Sequence, residues 1–188
     1  MEFVQPIRDR KKIDRIKRLL KAESLRDYAL FTLGINSGLR VSDLLSLRVE
    51  DVRDSKGKIR DRIALRETKT GKTKNFPIGD SARKALEEYL VNEDAYSDMP
   101  LFPSRKGSKA ITRVQAYRIL NSVAKAVGIK EKIGTHTLRK TFGYHAYTRG
   151  MDLSVIQKLM NHSSPGITLN YIGITQDDLD QVYISLNL

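Results

Sequence analysis

Arg40, Lys69, His136, Arg139, His162 and Tyr171 are the residues of this 188-residue chain whose types together suit one reaction. A tyrosine hydroxyl can attack a phosphodiester. Two guanidiniums and two imidazoles can hold the charge that develops on phosphorus, and a lysine can protonate the leaving oxygen. Tyrosine's ordinary pKa of about 10 makes it a poor nucleophile near neutrality unless cations stabilise the phenolate or a base takes its proton. Enzymes lower barriers by roughly 8–23 kcal/mol, and one preorganised oxyanion donor supplies only about 2.7–4 kcal/mol. Several donors around one phosphate are therefore required. Singly, each residue has a plainer reading. Arg40 after Gly38-Leu39 reads as a surface residue or a partner for helix-end carbonyls. His136 and Arg139, three apart, read as one exposed helix stripe beside Leu138, Phe142 and Ala146. His162 reads as a capping or surface residue, and a lone tyrosine as amphipathic filler.

These residues are spread over more than 130 positions, so the elements between them must bring them together. Arg8 to Ala22 is basic, with Ile13, Ile16, Leu19 and Leu20 at helical spacing, which predicts an amphipathic helix with a cationic outer face. Ser24 to Asn36 predicts a buried helix stopped at Gly38. Ser42 is placed to cap a short helix, Asp43 to Leu47. Asp43 is placed to orient Arg40 through a charge-assisted hydrogen bond, against the plainer reading of a surface ion pair. From Lys58 the period changes to two. Ile59, Ile63 and Leu65, then Phe76 and Ile78, flank Thr68-Lys69-Thr70-Gly71-Lys72-Thr73, which predicts a hairpin with a lysine-rich turn. Lys69 lies at its tip, with Lys72 and Lys74 as alternative proton donors; the plainer reading is a solvated, edge-protecting turn.

Further helices are expected over Ser81 to Val91, Thr112 to Val127, His136 to Thr148 with Thr135 as cap, Leu153 to Met160 with Asp152 as cap, and a segment begun by Ser164-Pro165 that carries Tyr171. Gln176 to Leu186 is expected to form a last helix. Asn92 to Lys109 is expected to be the main loop, anchored by Leu101-Phe102. The expected class is mostly α with a small antiparallel β-sheet (α+β).

Composition narrows the partner. Lys and Arg total 34 against 22 Asp and Glu, a formal charge of +12, which favours a polyanion because each neutralised phosphate releases counterions. No cysteine is present, so thiol catalysis, disulfides and cysteine zinc sites are excluded. No His/Asp/Glu cluster has metal-ligand spacing, and a metal-dependent nuclease should show convergent carboxylates; no metal and no cofactor are expected. With no secretory or membrane-spanning apolar run, the default address is the cytoplasm, with no membrane partner. A competing pattern, Ala146, Gly150 and Ile156, has helix-turn-helix spacing and would suit a plain DNA-binding regulator, although many helix pairs share it.

Taken in order, Gly38-Leu39-Arg40 with Asp43-Leu44, Thr68-Lys69-Thr70-Gly71-Lys72, His136-Thr137-Leu138-Arg139, and Asn161-His162 followed nine positions later by Tyr171 resemble the catalytic domain of the tyrosine recombinases, the phage-integrase family. The similarity runs from about Ile13 to the C-terminus. It implies the tyrosine recombinase catalytic-domain fold and site-specific DNA recombination by cleavage and rejoining through a 3′-phosphotyrosine. It implies Arg40 and Arg139 as the phosphate clamp, His136 as the likelier base, His162 as a hydrogen-bond donor, Lys69 as the acid, Tyr171 as the nucleophile, and Asp43 supporting Arg40. Lys72, Lys74 and Lys140 are expected DNA contacts. Leu159-Met160-Asn161-His162 departs from the family's commoner Leu-Gly-His.

The resemblance also implies double-stranded DNA as partner and a homo-oligomer on DNA, with a C-terminal packing helix in 176–188. Residues 1–188 are expected to be a single catalytic domain without the N-terminal DNA-clamping domain of relatives: either a piece of a longer protein or a short member that relies on a partner for the clamp. A DNA-binding regulator of the same fold, or relaxation of supercoils by the same chemistry, is the alternative function.

Overall fold

The computed structural model describes residues 4–91, 98–105 and 108–186. The expected Asn92–Lys109 loop falls partly outside these. Of its described part, Leu101 and Phe102 are buried, as an apolar anchor requires. Ten helices and one two-stranded sheet are formed by the described residues.

Helix α1 (Arg10–Glu23) buries Ile13, Ile16 and Leu20 and leaves its basic residues outside. Helix α2 (Leu25–Ser37) starts at Ser24, whose hydroxyl accepts from the Asp27 amide, and is buried over most of its length. A helix with no polar face must be covered all round. It is packed by α1, by α5 (Asp80–Leu90) and by α7 (Thr137–Thr148), which makes it the axis of the hydrophobic core. Short helices α3 (Val41–Leu45) and α4 (Val49–Val52) lead to strands β1 (Arg62–Arg66) and β2 (Thr73–Pro77). The strands pair antiparallel with Ile63 opposite Phe76 and Leu65 opposite Lys74. Helix α6 (Arg113–Ala126) begins with a reciprocal capping box between Thr112 and Gln115.

Helices α8 (Leu153–Leu159) and α9 (Pro165–Ile172) pack on α7 and on each other. Asp152 and Ser164 cap them as expected. Close approach of α7 to α9 depends on Gly143, where a Cβ would lie 2.6 Å from Ile172 Cγ2 and 2.7 Å from Met160 Cε. The N-terminal segment runs beneath this unit: the Ile7 amide donates to Thr141 Oγ1, and Thr137 Oγ1 donates to the Gln5 carbonyl. Helix α10 (Gln176–Leu186) buries no residue and exposes Leu179, Val182, Tyr183, Ile184 and Leu186. No helix among the described residues is long and apolar enough to cross a membrane.

Two expected caps are displaced. Helix α3 starts at Val41, because the Arg40 carbonyl already accepts from the Leu44 amide, which places Ser42 inside the first turn. Helix α7 starts at Thr137 with His136 as the capping position. A turn closed by the Thr137 amide on the Gly134 carbonyl uses the residues around Thr135, and the first helical bond runs from Lys140 to His136.

Gly38 ends α2 at φ 60°, and a Cβ there would lie 2.6 Å from Phe142 Cδ1. Gly38→Ala therefore combines left-handed strain with overpacking, and is expected to lower stability by about 2 kcal/mol or more, read as a lower urea midpoint.

Candidate active site

Arg40 lies at the capping position of α3, directly after the glycine stop of α2. Its Nη1 is 3.1 Å from Glu67 Oε1 and 3.9 Å from Asp43 Oδ2. These are ion pairs by distance, but Arg40 Nη1, Glu67 Oε1 and Asp43 Oδ2 are all buried without a hydrogen-bond partner among the described residues. The arginine is held between the two carboxylates by charge, and a guanidinium has further N–H groups with which to meet an anion. The expected hydrogen bond from Arg40 to Asp43 is not formed: Asp43, 0% exposed, accepts instead from the Thr68 amide at 2.8 Å and so anchors the hairpin to α3.

Glu67 is the residue that sequence reasoning missed. It is 1% exposed. Its backbone closes the lysine turn, with the Glu67 amide donating to Lys72 and the Gly71 amide to Glu67. Its Oε2 accepts from Thr70 Oγ1 at 2.6 Å and from Asn161 Nδ2 at 3.0 Å. Burial disfavours the charged carboxylate, but the Thr70 hydrogen bond and the charges of Arg40 and Lys74 outweigh it and hold the pKa below the ordinary value. A signal was present in the strand period: Ile63, Leu65 and Glu67 share one parity, and an acidic residue that continues an inward-facing series needs a buried cation.

The same parity decides among the lysines. Lys74 continues Ile78 and Phe76 inward. Its Nζ is 3.5 Å from the Ser37 carbonyl and 5.8 Å from the Phe76 ring centre. Burial, followed by the charge of Arg139, lowers its pKa from 10.5 to about 8. Lys69 and Lys72 are exposed on the turn. Lys74 therefore joins the Arg40 cluster instead of presenting an outward contact. Lys140 does likewise: it is 4% exposed, with Nζ 5.1 Å from the Tyr171 ring centre, and burial lowers its pKa.

Arg139 is not on an exposed stripe but buried, at 2% exposure. Its Nη1 donates to the Gly38 carbonyl at the end of α2, and its Nη2 donates to the Met160 carbonyl at the end of α8, the latter at 2.6 Å. His136 Nδ1 is 3.2 Å from the Tyr171 hydroxyl. The His162 ring packs edge-on against Tyr171 with centres 4.8 Å apart, and its Nδ1 is 3.1 Å from Thr168 Oγ1. Desolvation, then the charges of Arg113, Lys140, Arg139 and Arg40, holds His136 below the ordinary imidazole range. His162 is shifted the same way by desolvation, Arg139 and Arg40. A neutral imidazole beside a phenol is a proton acceptor. Burial raises the Tyr171 pKa, while Arg139 and Arg40 pull it back.

The fold thus gathers Arg40, Asp43, Glu67, Lys74, His136, Arg139, Lys140, His162 and Tyr171 into one cluster, and leaves Lys69 and Lys72 at its rim. Four cations (Arg40, Lys74, Arg139 and Lys140) face two carboxylates (Asp43 and Glu67), a surplus of two positive charges.

The chain has relatives among known proteins. Residues 9–177 match the Phage integrase family. The chain is 46% identical over 183 residues to the probable integrase/recombinase YoeC of Bacillus subtilis (strain 168), covering 97% of each chain. It is 37% identical over 166 residues to the tyrosine recombinase XerC of Thermodesulfovibrio yellowstonii, covering 84% of this chain and 53% of that one, so it spans about half of that relative's length. The crystal structure of XerA recombinase shares the fold, with a TM-score of 0.76 at 24% identity, over 98% of this chain and 64% of that one. XerH recombinase bound to its palindromic difH substrate after cleavage gives a TM-score of 0.72 at 19% identity, over 93% and 51%.

The buried ammonium makes a direct prediction. The Lys74 side chain, followed by carbon NMR of labelled lysine, should titrate near pH 8. Because the Glu67 charge raises the Lys74 pKa, Glu67→Gln should move that midpoint lower still.

Proposed function

The chain belongs to the phage integrase family, the tyrosine recombinases, and from that premise we propose how its own residues would carry out strand transfer on double-stranded DNA. The 3.2 Å approach of His136 Nδ1 to the Tyr171 hydroxyl, inside a cluster with surplus positive charge, supports the reading best. Tyr171 is the nucleophile. Its oxygen forms a bond to the scissile phosphorus as its proton passes to His136, in the tautomer that leaves Nδ1 free. Arg40 and Arg139 hold the non-bridging oxygens; of Arg139's five N–H groups, two are used on Gly38 and Met160 and the guanidinium also faces the Tyr171 hydroxyl. His162 adds a hydrogen bond.

The bond from phosphorus to the 5′-oxygen breaks, a lysine supplies that oxygen's proton, and the 3′-phosphate stays on Tyr171. Attack by the 5′-hydroxyl of a second strand reverses these steps and rejoins DNA without a nucleotide cofactor. Lys69 holds the family position for the acid; Lys74 stands inside the cluster with a pKa near the working range. The exposed Leu179, Val182, Tyr183, Ile184 and Leu186 of α10 would pack on a second copy of this chain on DNA. Removal of residues 176–188 is expected to abolish DNA-dependent self-association measured by sedimentation, and unchanged association would remove α10 from that role.

The test of the chemistry is a covalent adduct on duplexes taken from the DNA that flanks the gene, nicked so that the released strand diffuses away. Wild-type protein should form it and Tyr171→Phe should not, although binding persists; an adduct on Tyr171→Phe would assign the nucleophile elsewhere. With sulfur in place of the bridging 5′-oxygen the leaving group needs no proton. That substitution should restore cleavage to whichever of Lys69→Ala and Lys74→Ala lacks the acid.

A further inference from the structure

Asn161 is the one non-glycine residue at positive φ among the described residues, at φ 49°. It directly precedes His162. Left-handed backbone disfavours most side chains and tolerates asparagine best, so a side chain there needs a use. Its Nδ2 donates to Glu67 Oε2, across 94 positions of sequence. The other oxygen of that carboxylate faces Arg40, and Thr70 on the lysine turn donates to the same oxygen as Asn161. One buried carboxylate thus touches the arginine of α3, the turn between β1 and β2, and the loop between α8 and α9.

We propose that Glu67 and Asn161 are positioning residues: their hydrogen bond locks the His162 loop to Arg40 and the hairpin, so that His162 is seated against Tyr171 before DNA arrives. The proposal rests on the strand-transfer reading of the site. The links from Asn161 and Thr70 to Glu67 are directional hydrogen bonds, the link to Arg40 is an ion pair, and His162 meets Tyr171 through ring packing. The Thr70 hydrogen bond and the charges of Arg40 and Lys74 keep the Glu67 carboxylate ionised and therefore an acceptor, with Arg139 a further cation and Asp43 a further carboxylate in the same cluster. Without the Asn161 amide, Met160 is still held by Arg139 and Thr168 still faces His162, so the fold survives. What is lost is the cross-tie between the loop and the hairpin. A misplacement of about 1 Å at such a site slows the chemical step by as much as roughly a hundred-fold.

Two sets of variants test this. Asn161→Gly suits the backbone and deletes only the amide. Asn161→Asp sets a second carboxylate against Glu67, and Glu67→Gln combined with Asn161→Asp restores the hydrogen bond with its polarity reversed. The first readout needs no DNA: imidazole titrations by NMR, with His145, which contacts the Ile7 carbonyl away from the site, as internal control. In Asn161→Gly the His162 midpoint should rise toward the ordinary value of about 6.5, because the opened loop relieves desolvation, while His145 stays fixed. The second readout is single-turnover adduct formation on the nicked duplex. Asn161→Gly should be roughly ten- to a hundred-fold slower at unchanged DNA affinity. Asn161→Asp should be slow at pH 8 and recover toward pH 6, as one of two adjacent carboxylates takes a proton; the double variant should be faster than Asn161→Asp at pH 8. An unchanged His162 midpoint, an unchanged adduct rate in Asn161→Gly, or a double variant no faster than Asn161→Asp overturns the proposal. If wild-type protein forms no adduct, the strand-transfer reading fails, whereas the His162 titration still decides whether Asn161 seats the loop.

Discussion

The Arg139 guanidinium is the constraint on which the site's geometry depends. A buried cation is expensive unless its charge and donors are matched. Arg139 finds its match in two helix ends, where unsatisfied carbonyls and the helix dipole present negative potential. The two carbonyls, of Gly38 and Met160, lie two residues before Arg40 and two residues before His162. One side chain on α7 therefore sets where two other functional residues leave their helices. Gly38, at left-handed φ, turns the chain toward Arg40; Asn161, also left-handed, turns it toward His162. The same arginine stands close enough to Tyr171 to lower its pKa. Its structural and chemical roles are not separable, because the energy that offsets its burial also fixes the groups around it.

Much of the helical frame was legible from local chemistry. Asp152 and Ser164 cap where their side chains predict, because an N-cap needs only residues a few positions away; Ser24 and Thr112, expected as the first residues of their helices, stand at the capping positions. Ser42 and Thr135 do not, because tertiary demands compete: Asp43 is drawn to Thr68, and the Gly134–Thr137 turn meets the N-terminal segment. The hairpin and its register followed from alternation, and so did more than was drawn from it. The parity that buries Ile63 and Leu65 also buries Glu67, and the parity of Ile78 and Phe76 turns Lys74 inward. A motif-led reading stops at the lysine of the turn, whereas the strand period points to the residues on either side of it. The inward position of Lys140 was less accessible, since it depends on how α7 meets α9.

The pKa directions describe a site that is poised but quiet. Burial keeps the Tyr171 proton on oxygen, and neither arginine fully overcomes that. His136 and His162 are held neutral at physiological pH by the same desolvation and the same cations. An acceptor imidazole and a protonated phenol, already in contact, need only an electrophile.

The charge balance explains why DNA would change this. Among the described residues of the cluster, four cations stand against two carboxylates, a net surplus of two positive charges, and Arg40 lies against Glu67 at 3.1 Å. A phosphodiester in its ground state brings one negative charge. The pentavalent species formed by phenolate attack carries two. In the proposed reaction the added negative charge on the phosphate is met by the clamp and by the proton that His136 takes up, and only interactions that strengthen on the way to the transition state accelerate the reaction. In the proposed reaction Lys74, with a pKa of about 8, would join the clamp while charged and would be acidic enough to serve as the proton donor if that role is not taken by Lys69. Glu67 and Asp43 limit the surplus to that value.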